Sequence, residues 1–97
     1  MLVADEHIDR ATKELARNIG RRVAELRRGT GETQERFAER YGASVQWVRR
    51  IETGMEQPSL PTLAKLAVVL DVSVVDLFSP AQSKERSKPG RPRKSRR

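Results

Sequence analysis

Apolar residues recur at helical spacing from about Asp5 to Arg28: Ile8, Ala11, Leu15, Ile19, Val23 and Leu26. Asp5 stands where a cap would, and Glu6 and Asp9 suit a first turn. Gly20 interrupts this pattern at a cost of about 1 kcal/mol relative to Ala. Either one long helix runs through it or a separate N-terminal helix bends there, and one long helix is preferred. Gly29-Thr30-Gly31 then reads as a turn. Thr33 caps a short helix from about Gln34 to Tyr41, with Phe37, Ala38 and Tyr41 facing inward. Gly42 fits the left-handed residue that ends it. Ser44 caps a third helix, which Gly54 closes. A loop through Pro58 leads to Ser59, the cap of a fourth helix over about Leu60 to Leu70. Its inward stripe is Leu63, Leu66, Ala67 and Leu70. Pro61 is tolerated in the first turn. Asp71 follows in place of a glycine. Ser73 begins a fifth helix over Val74 to Phe78, with Asp76 placed to return the capping bond.

Two capped helices joined by a tight, glycine-containing turn, over Thr33 to Gly54, form a helix-turn-helix pattern. The second of them has two unlike faces. Val45, Trp47, Val48 and Ile51 share one arc with Glu52, whereas Gln46, Arg49, Arg50 and Thr53 lie on the other. Arg donates two bonds to guanine, Gln pairs with adenine, and Thr reaches phosphate. The outward face therefore has the chemistry of duplex DNA recognition. The alternative is an ordinary solvated helix face.

Composition narrows the class. Aromatic residues make up 4% of the 97 residues, so the core is built from Leu, Val, Ile and Ala, as in a small helical bundle. With no cysteine, disulfides and thiolate metal sites are excluded, which fits a cytosolic protein. His7 is the only histidine and has no metal-ligand partners near it in sequence. No nucleophile–base pair is visible, so neither an enzyme, a metal nor a cofactor is expected. No apolar run is long enough to span a membrane. The first residues do not have the form of a secretory signal.

The net charge of +7 is unevenly placed. Residues 80–97 hold eight of the twenty Lys and Arg and one of the thirteen Asp and Glu. Residues 1–79 hold twelve of each and are neutral overall. Any attraction of that part to a polyanion must come from how its charges are distributed. The tail has almost no apolar side chains and is expected to be disordered in isolation.

The chain resembles the lambda-repressor-like (XRE-type) helix-turn-helix domains of bacterial and phage regulators. The resemblance runs from about Ile19 to Phe78, through IGRRVAELR, TQERFAERYG, SVQWVRRIETG, QPSLPTLAKLAVVL and VSVVDLF, in the family's order and spacing. It implies an all-α, five-helix bundle with an extended first helix. The expected organisation is an N-terminal helical extension over 1–18, the helix-turn-helix domain over 19–79, and a disordered basic tail over 80–97.

Carried over, the resemblance implies base contacts from Gln46 and Arg50, then Arg49, with Val45 against a thymine methyl. It gives Ser44, Thr53 and Gln34 to phosphates, and makes Arg27 and Glu52 an architectural ion pair between the first and third helices. Where the family often has Glu or Gln three residues after the second helix's cap, this chain has Arg36, which leaves half a capping box. Trp47 has two readings, core packing or a ring laid against the sugar-phosphate wall. In the tail, Lys88, Gly90, Arg91, Pro92, Arg93 and Lys94 resemble an AT-hook for the minor groove of A·T-rich DNA. The alternative is a polybasic segment adding non-specific affinity.

The function expected is sequence-specific DNA binding by a transcriptional regulator, a repressor in the first instance. It would act in the bacterial cytoplasm at the nucleoid and as a homodimer, because one recognition helix covers few base pairs. The dimer surface is either Val72–Phe78, as in relatives, or the stripe Ile8, Leu15, Ile19, with the first preferred. Two rivals remain: an antitoxin whose extension or tail holds a toxin protein, and an architectural nucleoid protein that binds through its tail.

Overall fold

Four α-helices and a closing 3-10 turn wrap around one core. The computed structural model describes residues 3–82. The helices are α1 (Asp5–Gly29), α2 (Gln34–Tyr41), α3 (Val45–Thr53) and α4 (Leu60–Leu70), and the 3-10 turn is Val74–Phe78. Phe37, Leu66, Leu77, Val23 and Val48 are fully buried at the centre, with Ile19, Ile51, Leu63 and Leu70 around them. Among the described residues no helix is long and apolar enough to cross a membrane.

The expected fifth helix is a correction. Val74–Phe78 is a single 3-10 turn, closed by Asp76 N–H donating to the Ser73 carbonyl at 3.0 Å and Ser79 N–H donating to the Asp76 carbonyl at 3.2 Å. Among the described residues there are therefore four α-helices. Five residues are too few to propagate an α-helix. Pro80 forces the preceding Ser79 into an extended conformation, with ψ 144°, and forbids continuation. The capping pair expected there also fails, since Ser73 makes no side-chain cap bond. Asp76 turns instead to Arg22, whose Nη2 donates to its carboxylate at 3.3 Å and whose Nε donates to its carbonyl at 3.0 Å. A tertiary ion pair has displaced the local capping bond, and it pins the closing turn to α1.

The other helix ends follow from side chains in the chain itself. Thr33, Ser44 and Ser59 each accept the backbone N–H three residues on, from Arg36, Trp47 and Thr62. Asp5 is not the cap of α1: Ala4 holds that position and makes no side-chain bond. Asp71 ends α4 in the left-handed region at φ 60°, a conformation that Asp tolerates better than most non-glycine residues. Arg40 ties the far end of α2 to its surroundings. It donates to the Glu32 carboxylate at 2.8 Å and to the Val69 carbonyl at 2.8 Å. The bond from Arg40 holds the Glu32 carboxyl below the usual carboxylate range.

α1 runs through Gly20 without a break. The reason is a close crossing with α3. A Cβ on Gly20 would lie 2.7 Å from the carbonyl oxygen of Glu52 and closer still to that of Ile51. The glycine that weakens α1 locally is what lets α3 lie against it. Only Ala16 and later residues of α1 are buried, so the helix from Asp5 to Leu15 projects from the body with Ile8 and Leu15 exposed.

Gly20→Ala separates helix propensity from packing. Propensity alone would stabilise by about 1 kcal/mol, whereas the clash with the α3 carbonyls should destabilise by about 1–3 kcal/mol. A lowered midpoint in urea or thermal unfolding is expected.

Candidate nucleic-acid interface

α3 is short, and its position is set at both ends. At its start, the Ser44 hydroxyl holds the Trp47 N–H at 3.1 Å. At its end, Gly54 takes φ 80° and abuts Arg17 of α1, where a Cβ would meet the Arg17 Cα at 2.8 Å. Val48 and Ile51 are buried beneath it, and Val45 and Trp47 pack half-buried against the same core. The Trp47 ring stacks on Tyr41, with centroids 4.8 Å apart and planes 27° from parallel. The Lys65 ammonium sits over the other ring of this pair, 4.4 Å from the Tyr41 centroid.

Gln46, Arg49, Arg50 and Thr53 are exposed on the opposite side. The two arginines rest on surface carboxylates. Arg50 Nε donates to Glu56 at 3.0 Å, and Arg49 Nη2 lies 3.5 Å from Glu35. Both guanidinium groups remain half exposed, with 51% of each side chain open. Exposed pairs of this kind contribute about 0–1 kcal/mol, so a phosphate or a guanine can replace either carboxylate at small cost. Thr53 bonds its own helix, its hydroxyl donating to the Arg49 carbonyl at 2.8 Å. Ser44 is exposed at the start of the same face.

Behind this face lies a buried polar node. Arg27 Nε donates to Glu52 Oε2 at 2.6 Å and its Nη2 to Oε1 at 3.2 Å, a two-pronged pair with 9% and 6% of the side chains exposed. Arg27 Nη1 also donates to the Glu32 carbonyl at 2.7 Å. Gln34 Nε2 donates to Glu52 Oε1 at 2.9 Å, while its Oε1 accepts from Arg49 Nε at 3.4 Å. Gln34 thus joins the buried node to an outward arginine, at the end of α2 where the first backbone amides have no partner within the helix. The Arg27–Glu52 pair is the one the resemblance implies, and these two bonds are how Gln34 braces α3. The anchoring roles of Arg22 and Arg40 depend on residues 54 and 29 positions away and were not legible in the sequence. The tail residues Lys88, Gly90, Arg91, Pro92, Arg93 and Lys94 lie outside the described residues. Among the described residues no cluster of three or more His, Cys, Asp or Glu could hold a metal ion.

The profile of a family described as "Helix-turn-helix domain" matches residues 18–78. The chain belongs to the lambda-repressor-like helix-turn-helix family of DNA-binding transcriptional regulators. It is 39% identical over 67 residues to an uncharacterised HTH-type transcriptional regulator, y4dJ, of Sinorhizobium fredii, covering 69% of this chain and 87% of that one. It is likewise 39% identical over 61 residues to the HTH-type regulator YazB of Bacillus subtilis, covering 63% and 88%. Among solved structures it resembles the restriction-modification controller protein C.AhdI of Aeromonas hydrophila, at 35% identity and a TM-score of 0.61, over 65% of this chain and 96% of that one. The clp gene regulator ClgR of C. glutamicum matches at 27% identity and the same TM-score, over 65% and 82%. These relatives are named as transcriptional regulators, a controller protein and a gene regulator. In this family's terms, α2 and α3 are the helix-turn-helix, and α1 and α4 are its scaffold.

Glu52→Gln would leave the Arg27 guanidinium buried without its counter-charge. The expected loss is about 3–5 kcal/mol of folding stability, read as a large fall in the thermal midpoint. A midpoint within a degree or two of wild type would show the node to be dispensable.

Proposed function

We propose that this chain reads duplex DNA through the outward face of α3, laid in the major groove, and acts there as a repressor. The observation that carries this reading is the exposure of Gln46, Arg49 and Arg50 together on a helix whose opposite face is locked into the core. Gln46 and Arg50 take the principal base contacts and Arg49 the next. Val45, half-buried, offers only its outer edge to a thymine methyl. Ser44, Thr53 and Gln34 contact phosphate, Gln34 beside the free amides at the start of α2. The tail residues Lys88, Gly90, Arg91, Pro92, Arg93 and Lys94 add minor-groove or non-specific contacts. The relatives are bacterial, and this reading places the protein in the bacterial cytoplasm, on the nucleoid, with residues 19–79 as the reading domain.

Two copies bind a two-fold site, since one α3 spans too few base pairs for useful selectivity. The dimer surface on this reading is Val72–Phe78. Val74, Val75 and Phe78 remain 42%, 71% and 49% exposed there, although Leu77 between them is fully buried. An apolar group of that kind beside the core favours a partner surface over solvent.

Selection from a random duplex library tests the reading. Enrichment of an inverted repeat is expected, and Arg50→Ala should lose about 1–3 kcal/mol of discrimination at one base pair of each half-site. A selected pool without a preferred sequence would refute base reading by α3. Removing residues 1–18 should leave a folded dimer by sedimentation. A folded monomer would move the interface to Ile8 and Leu15, the exposed part of the first-helix stripe, whose third member Ile19 is buried in the core.

A further inference from the structure

α1 carries a row of cations on one side. On a helical projection Arg10, Lys13, Arg17, Arg21 and Arg28 fall within an arc of about 80°, and all five are exposed. The row spans about 27 Å along the axis at 1.5 Å per residue. Glu6, in the first turn, is the single carboxylate of α1 within that arc, and Glu14 lies at its edge. The guanidinium groups of Arg10, Arg17 and Arg28 have no hydrogen bond or ion pair among the described residues. Lys13 has only a 3.9 Å pair with Asp9 in open solvent, and Arg21 a 3.2 Å bond to Asn18.

The side of α1 that holds this row is set by its contacts. Arg17 touches Gly54, at the end of α3, and Gly20, next to the arc, meets the carbonyls of Ile51 and Glu52. Arg28 follows Arg27, which reaches the Glu32 carbonyl just ahead of α2. Arg22, in contrast, projects well away from the arc, and there it holds the closing turn through Asp76 and also pairs with Glu25. The neutral body thus has its charges sorted. Among the described residues Arg10, Arg17 and Arg28 stand unpaired along the edge beside the helix-turn-helix, whereas Glu25 and Asp76 are held by Arg22 on another side of α1.

We infer that the row Arg10, Lys13, Arg17, Arg21 and Arg28 is a second DNA-contacting surface, a rail that grips the sugar-phosphate backbone flanking the base pairs read by α3. This deepens the reading of α3 given above and rests on it. A row of point charges on a straight helix has no means of reading base edges. It matches a line of phosphates in charge and extent, and it supplies affinity to any sequence. The projecting arm from Asp5 to Leu15 extends this contact beyond the folded body.

The test uses the full chain carrying Arg10→Gln, Lys13→Gln and Arg17→Gln, with binding read by fluorescence anisotropy. Each lost phosphate contact lowers the slope of log affinity against log salt by about 0.9. The triple variant should therefore lose about 2–3 of slope, and its deficit against wild type should change about 40-fold between about 50 and 200 mM salt. The loss should be equal for selected and random duplexes, with the preferred sequence unchanged, and should disappear when the flanking base pairs are trimmed. The double variant Arg10→Gln, Lys13→Gln, altered only in the projecting arm, should show a proportionately smaller loss and decides the matter if the triple variant does not fold. A wild-type slope in these variants overturns the rail, as does a deficit that survives trimming. Arg50→Ala, measured in parallel, keeps the two readings apart. Lost discrimination there beside a wild-type slope in the triple variant refutes the rail alone. Unchanged discrimination beside a reduced slope refutes base contact by Arg50 and leaves the backbone contact of the row.

Discussion

The carboxylate of Glu52 is the point on which the placement of α3 turns. It lies on the inner arc of α3, where an unpaired charge would cost several kcal/mol, and three elements meet there to satisfy it. Arg27 comes from α1 with two bonds, and Gln34 comes from the start of α2 with a third. Because Arg27 also takes the Glu32 carbonyl, the loop ahead of α2 is fixed by the same group. A buried ion pair gives little net stability compared with an apolar pair of the same shape. Its value here is geometric. The bonds have direction, so they set the angle of α3 against α1 and the position of Gln34 beside Arg49, which hydrophobic contact between smooth helices would leave loose.

That node works only because Gly20 lets the helices approach. The α3 carbonyls of Ile51 and Glu52 lie against the Gly20 backbone, and Gly54 turns the chain away against Arg17. Close backbone approach brings the Glu52 side chain within 2.6 Å of Arg27. One residue that looks like a flaw in α1 and one buried charge that looks like a flaw in α3 are thus a single device. Each makes sense only in the presence of the other.

This explains which parts were legible in the sequence. Caps and helix-ending glycines act over three or four residues, so Thr33, Ser44, Ser59, Gly42 and Gly54 declare their roles locally. The two faces of α3 are equally local, since a 3.6-residue period sorts them. The last helix was misjudged for the converse reason. Ser73 and Asp76 have the right types and spacing for a cap, but Arg22, far away in sequence, claims Asp76. Asp5 failed as a cap more simply, because the helix begins one residue earlier and places it in the first turn. The role of Gly20 was not legible either. Propensity marks it as a weak point, and only the packed structure shows the carbonyls that exclude a side chain.

Charge is the property that a residue count describes worst. Twelve cations and twelve anions over residues 1–79 suggest a body indifferent to DNA. Folding changes that by using the charges unequally. Glu52, Glu32, Glu25 and Asp76 are all bonded within the fold, where they hold α1, α2 and the closing turn together. Many of their partners are arginines turned inward or sideways. Arg10, Arg17 and Arg28 take no part in this internal pairing and project on one side of α1. A neutral domain can then present a directed positive field, which decays within about 8–10 Å at physiological salt and so acts only on a polyanion already close to it. Such a field orients the body once DNA is near. A line of free cations on one side of α1, with the free carboxylates of Glu39 and Asp71 on other elements, gives the body contact affinity without the net charge that would make it bind every polyanion at long range.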